Sequence, residues 1–160
     1  MKTKLQKMQG FTLIEILVVI GIIAVLAAIV IVAINPARQF AQARNTQRTS
    51  NVETILNAIG QNMADNKGVF TCSSTPFTLP TIATNIANPG TDIASCLVPT
   101  YISALPVDPT GSTTPSCVTA QYAGSGTYET CYTVAKDTTT GRVTVNAPDA
   151  ELGQIISLTR

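Results

Sequence analysis

Residues 11–34 form an apolar run of 24 positions that carries one charge, Glu15, directly behind a short basic leader ending at Gly10. At ~1.5 Å rise per residue a helix over this run is roughly 36 Å long, enough to cross a hydrocarbon core of ~30 Å. The run therefore reads as a membrane-spanning helix. A carboxylate four residues into such a segment costs roughly 2.5 to 3.5 kcal/mol to insert. Glu15 thus needs a partner and is the first candidate functional residue.

The remaining chain is read as an exported domain. Its four cysteines, Cys72, Cys96, Cys117 and Cys131, all follow the apolar run, none forms a Cys-x-x-Cys pair, and the chain has no histidine. Zinc sites built on cysteines bring their ligands in close pairs, whereas small exported domains with thin cores use disulfides as staples. No metal or other cofactor is expected. Four cysteines allow three pairings; Cys72 with Cys96 and Cys117 with Cys131 close the two shortest non-overlapping loops and are the expected pair of bridges. Lys2, Lys4 and Lys7 before the run balance Arg38, Arg44 and Arg48 after it, so the positive-inside rule ties. The cysteines break the tie towards a single pass with a cytoplasmic amino terminus and an exported carboxyl-terminal part. A cleaved secretory signal is the competing reading of the same start, with a small-residue cut after Ala27, but such signals have apolar cores of about 7 to 15 residues and this run is longer and holds an acid. Ten basic against nine acidic residues leave no charge excess that points to a nucleic-acid site.

Beyond the run, Asn35-Pro36 interrupts the helix, because Pro36 has no amide hydrogen for the Val32 carbonyl and its ring crowds that turn; a kink or a locally melted turn is expected. Val52, Ile55, Leu56, Ile59 and Met63 then recur on one helical stripe, with Arg48, Glu53, Asn57 and Gln61 assigned to the opposite, solvent face. Asp65-Asn66-Lys67-Gly68 closes this amphipathic stretch with a glycine stop. Residues 127–135 alternate with period two, residues 137–141 read as a turn into a second strand over 142–147, and a last strand is expected near 154–158. The long segment between is rich in Thr, Pro and Ser and reads as a disulfide-braced connection. Asp108, Asp137 and Asp149 read as turn residues rather than calcium ligands. The fold class is α+β, a long amino-terminal helix packed on a small antiparallel sheet.

Gly10-Phe11-Thr12-Leu13-Ile14-Glu15, behind three lysines and ahead of the apolar run, resembles the processing site of type IV pilins and of the pseudopilins of type II secretion. The resemblance implies that a prepilin peptidase cuts after Gly10 on the cytoplasmic face and methylates the Phe11 amine. It also implies a partner for Glu15, the amino terminus of a neighbouring subunit in a homo-oligomeric or mixed filament raised by an assembly platform. An acid buried against an ammonium is partly compensated, and such a pair fixes the stagger between subunits. Tyr101-Ile102-Ser103-Ala104-Leu105-Pro106-Val107-Asp108-Pro109 resembles the Tyr-x-x-x-Leu-Pro-x-Asp-Pro stretch of many pseudopilins and small pilins. The Trp-Gly that usually follows it in the major pseudopilin is replaced by Thr110-Gly111. The resemblance divides the chain into a cleaved leader (1–10), a membrane and filament-core helix (11–35), an amphipathic half (36–66), the braced connection (67–117) and the sheet (118–160).

The expected function is that of a structural subunit of a pilus-like filament, held in membrane lipid before assembly and then in an extracellular or periplasmic filament. A pseudopilin is the alternative within the same architecture. An enzyme on a membrane anchor is the rival from another class, and the sequence offers it no histidine for acid–base work, no Gly-rich phosphate loop and no nucleophile elbow.

Overall fold

The computed structural model describes residues 10–111 and 120–160, with the backbone alone at 33 and 34. Two compact units divide the chain between Gln39 and Phe40. The first is dominated by helix α1, Leu13–Ile34. Its side chains over 13–32 are exposed on every side, and Leu13–Val32 is apolar and long enough to cross a membrane.

Helix α1 stops where the sequence loses its amide. Asn35 takes a left-handed conformation (φ 46°, ψ 79°) and α2 begins at Pro36 and runs to Asp65. Asparagine tolerates this backbone better than most residues, and proline suits the first position of a helix because its missing N–H has no partner there anyway. The Asn35 side chain caps the new helix by accepting from the Arg38 amide at 3.3 Å. The far end of α2 closes on Lys67 and Gly68, both with positive φ, and the Gly68 amide donates back to the Met63 carbonyl at 2.7 Å.

In the second unit α2 lays Val52, Ile55, Leu56, Ala58 and Ile59 against a four-stranded antiparallel sheet in the order β3-β4-β5-β6. Strand β4 is Tyr128–Lys136, β5 is Val143–Ala147 and β6 is Ile156–Thr159. Tyr128, Thr130, Tyr132 and Val134 turn one face of β4 into the core, and Val143, Val145 and Ala147 do the same from β5. The turn between them is held by Asp137, whose carboxylate accepts from the amides of Thr139 and Thr140 at 2.7 and 3.1 Å.

Strand β3, Thr84–Asn88, comes from within the 67–117 segment that the sequence reads as a connection. It is a five-residue edge strand with one large apolar side chain, Ile86, so it shows no periodic pattern. Where it pairs with β4 the register shifts between Asn85 and Ala87, opposite Cys131 at φ 64°. The Thr130 hydroxyl bridges this bulge by donating to the Ile86 carbonyl at 2.9 Å. The same segment supplies a small hairpin, β1 (Thr71–Cys72) with β2 (Thr75–Pro76), and one helical turn, α3 (Ala94–Leu97).

Candidate functional site

The residues around the leader junction precede the first helical turn. Gly10 and Phe11 are exposed, and neither is part of α1. An accessible, non-helical segment of this kind is the form in which a protease can take hold of a peptide bond. Thr12, in an extended conformation, is the N-cap of α1. Its hydroxyl accepts from the Glu15 amide at 3.3 Å, while the Glu15 carboxylate accepts from the Thr12 amide and hydroxyl, both at 2.8 Å. This is a capping box, in which two orphan groups of a helix start satisfy each other and the acid sits at the positive end of the helix dipole.

The box gives Glu15 a partner inside its own chain, a role that the sequence reading assigned only to a neighbour. The signal was present, since Thr12 lies three residues before Glu15 at the head of an apolar run. In an apolar surrounding such a box reduces the cost of the carboxylate by giving it two donors of its own chain. It also fixes the side chain on the amino-terminal side of its own turn, beside the Phe11 backbone.

In the second unit, the structure joins Cys72 at the end of β1 to Cys96 in α3. Buried Asn62 of α2 braces the same corner. Its amide nitrogen donates to the carbonyls of Thr71 and Cys96, at 2.9 and 3.3 Å, and its oxygen accepts from the Thr71 amide at 2.9 Å. Cys131 is buried and is not a free thiol. The expected bridge from Cys117 to Cys131 involves a residue outside the described ones.

Arg48 is where the sequence reading went wrong. It was assigned to the solvent face of α2, but it is 1% exposed. Counting back from Val52 by four gives Arg48, by seven Asn45 and by eleven Ala41, and all three are buried on the apolar stripe. A charged side chain hid the continuation of the stripe. Its guanidinium grips the carboxylate of Asp108 with two bonds, Nε to Oδ2 at 2.6 Å and Nη2 to Oδ1 at 3.0 Å, and reaches Glu151 at 2.8 Å. Arg44 makes a second pair of bonds to Glu151 at 2.7 and 2.5 Å. Asn45 accepts from the Glu151 amide and donates to the Glu151 carbonyl.

Asp108 therefore does more than shape a turn. It accepts from the amide and hydroxyl of Thr110, and it ties the Tyr101–Pro109 stretch to α2 through Arg48. Burial pushes its carboxyl up, but the Arg48 guanidinium and the Thr110 donors outweigh that and hold it below the usual carboxylate range. Glu151, bonded first by Arg44 and then by Arg48, is brought down to about 2. Arg44 and Arg48 balance the charges of Asp108 and Glu151, and every carboxylate oxygen of Asp108 is engaged by a donor of this chain. Among the described residues no group of three or more His, Cys, Asp or Glu is arranged to hold a metal ion.

The chain matches no curated protein and no solved structure. Residues 5–31 match the family model described as the prokaryotic N-terminal methylation motif, so the chain carries the leader signature of type IV pilins and pseudopilins.

Proposed function

We propose that this protein is a structural subunit of a type IV pilus-like filament, stored in the membrane through α1 and drawn into the filament after processing. One observation carries the reading. The matched motif ends within an all-round apolar helix, and its acid is already seated at the helix start, three residues after its capping partner Thr12. Gly10 is the residue before the cut, Phe11 the residue whose new amine is methylated, and Glu15 the residue that meets the Phe11 amine of a neighbouring subunit. Both a peptidase that methylates and an assembly platform are partners in this scheme. The subunit itself does no chemistry.

A pseudopilin in a short periplasmic filament is the second reading; the Tyr101–Pro109 stretch fits it and a small pilin alike, and Thr110-Gly111 in place of Trp-Gly counts against it. Intact-mass analysis of protein from native membranes tests the shared core of both. The expected chain begins at Phe11 and carries one added methyl group. A mature chain beginning at Ala28 would mean ordinary signal-peptide processing and would defeat both. Sheared surface filaments that contain this chain as their main component separate the pilus from the secretion reading.

A further inference from the structure

Among its described residues the second unit exposes few large apolar side chains, and three of them lie toward one end. Phe40 is 65% exposed, Leu152 50% and Ile155 92%. Phe40 lies one turn before Arg44 on the same face of α2, and the Arg44 guanidinium holds Glu151, the residue next to Leu152. Ile155 follows in the same short loop, just before β6. Ile155 lines a cleft with Thr49 of α2; Thr144 pairs with Thr159 and Ala147 with Ile156, so β6 runs away from this end, and Arg160 at its far end bonds Asn57, two turns beyond Thr49. The loop that carries Leu152 and Ile155 therefore lies on the side of the unit where α2 enters it, with Ile155 beside Thr49.

The loop is built to present them. Leu152 has φ 60° and Gly153 φ 68°, and the Gln154 amide closes the turn on the Glu151 carbonyl at 3.2 Å. Glycine or asparagine is the usual occupant of the first position of such a turn; leucine there costs roughly 1 to 2 kcal/mol. A strained backbone that holds a large apolar side chain in solvent gains nothing inside this chain. The ion pair beneath it, Arg44 with Glu151, fixes the loop to α2.

We propose that Phe40, Leu152 and Ile155 form a membrane-facing foot that rests in the interfacial layer of the bilayer while the subunit is stored there. The inference rests on reading α1 as a membrane span. The candidate span ends at Val32, eight positions before Phe40, and eight residues reach at most about 28 Å even when fully extended. Covalent attachment thus keeps this end of the unit beside lipid at high effective concentration. The chemistry fits an interface: an aromatic ring and two aliphatic chains, with Arg38 two residues before Phe40, is the composition that sits at headgroup level. Of the other exposed apolar residues, Ile82, at 78%, precedes β3 at the opposite end of the sheet, where the Pro80 carbonyl accepts from the Lys136 amide. It serves as an internal control.

The chain has no tryptophan, so a single introduced one reports cleanly. Full-length Ile155→Trp, Leu152→Trp and Ile82→Trp are reconstituted into phosphatidylcholine–phosphatidylglycerol vesicles, with and without lipid brominated high on the acyl chains. The expected result is blue-shifted emission and loss of most of the fluorescence to brominated lipid at 155 and 152, with water-like, unquenched emission at 82. Quenching equal at all three positions, or absent at 155 and 152, overturns the foot. Emission shifts at 155 that grow with the protein-to-lipid ratio and ignore the bromines would assign the patch to a second copy instead, which also overturns it. A chain stripped from the vesicles by alkaline carbonate defeats the membrane reading itself. A chain that stays in while 155 remains unquenched defeats only the foot.

Discussion

Helices α1 and α2 follow one another in the chain and obey opposite rules. In α1 the side chains are apolar on all sides and none in Leu13–Val32 is buried by the rest of the protein. Helix α2 is mostly polar, yet it buries nine residues, among them Asn45, Arg48 and Asn62. Burial thus follows partners rather than polarity. Polar α2 has Asp108, Glu151 and the Thr71 and Cys96 carbonyls to meet its buried groups, while apolar α1 buries none of its described side chains and suits a solvent of lipid or of like helices.

The sharpest way to break this comparison is at Glu15, the one charge of α1. If it meets the Phe11 amine of a neighbour, Glu15→Gln leaves a buried ammonium without its counter-charge, a loss of several kcal/mol at each contact by analogy with broken buried pairs. Filaments should fail or become rare while processing and membrane insertion persist, since a neutral amide enters lipid more readily than a carboxylate. The stability of the second unit should not change. Filament counts by electron microscopy, alongside the mass of the mature chain, decide it, and normal filaments built from the variant alone would remove the pairing from the mechanism. Thr12→Val, which keeps the shape but removes the hydroxyl of the capping box, is expected to give a milder loss.

The matching break in α2 is Arg48→Met. It strands the Asp108 carboxylate in the core and should cost about 3 to 5 kcal/mol of stability, read as a shift of the urea midpoint. Adding Asp108→Leu should recover most of that loss, because a buried pair replaced whole is far less costly than one broken. A double variant as unstable as the single one would mean that the pair carries the fold in some way other than charge compensation.

Acid provides a smaller test of the same cluster. Asp108 and Glu151 have folded values below their unfolded ones, so their contribution to stability is complete above the ordinary carboxylate range and is lost as pH falls through the folded values. For Glu151 that window runs from 4.5 down to about 2. Urea midpoints should fall across this window in the wild type and fall less steeply in Arg44→Met, which removes the first partner of Glu151.

How much of this was legible depended on whether the signal was local. The apolar run, the stop at Asn35-Pro36, the stripe from Val52 to Ile59 and the turn at Asp137 are read from neighbours in sequence, and the structure has an element at each. The Thr12–Glu15 capping box is equally local, but an acid in an apolar run reads first as a lone membrane charge, and that reading masks its place three residues after a capping threonine. Arg48 failed for a different reason. Its position on the stripe was legible from spacing, but its partner lies 60 residues away in the Leu105-Pro106-Val107-Asp108-Pro109 stretch, and a charge without a visible partner was placed in solvent. Strand β3 is an edge strand with a single large apolar residue, so its existence depends on β4 rather than on its own sequence. Leu152 carries no warning at all, because a leucine in a left-handed turn looks like any other leucine.

The smallest expected effect sets the two helices side by side with one substitution. Gly21 lies within α1 and Gly60 within α2, and a methyl group added at either meets nothing within 4 Å in this chain. Glycine inside a helix costs about 1 kcal/mol relative to alanine through backbone entropy. Gly60→Ala should therefore raise the stability of the second unit by up to about 1 kcal/mol, since that helix has its partners already and the new methyl points into open space. Gly21→Ala makes the same change in a helix whose described side chains are exposed. It should leave the unfolding midpoint of the second unit where it was. Where helices pack in lipid or in a filament core, a glycine permits close approach of backbones that a methyl group holds apart. The expected readout is thus in assembly, as fewer or more fragile filaments under shear. If Gly21→Ala filaments match the wild type, α1 does not use that face for close packing. If Gly60→Ala destabilises, that face of α2 has a close neighbour in the assembled protein that the single chain does not reveal.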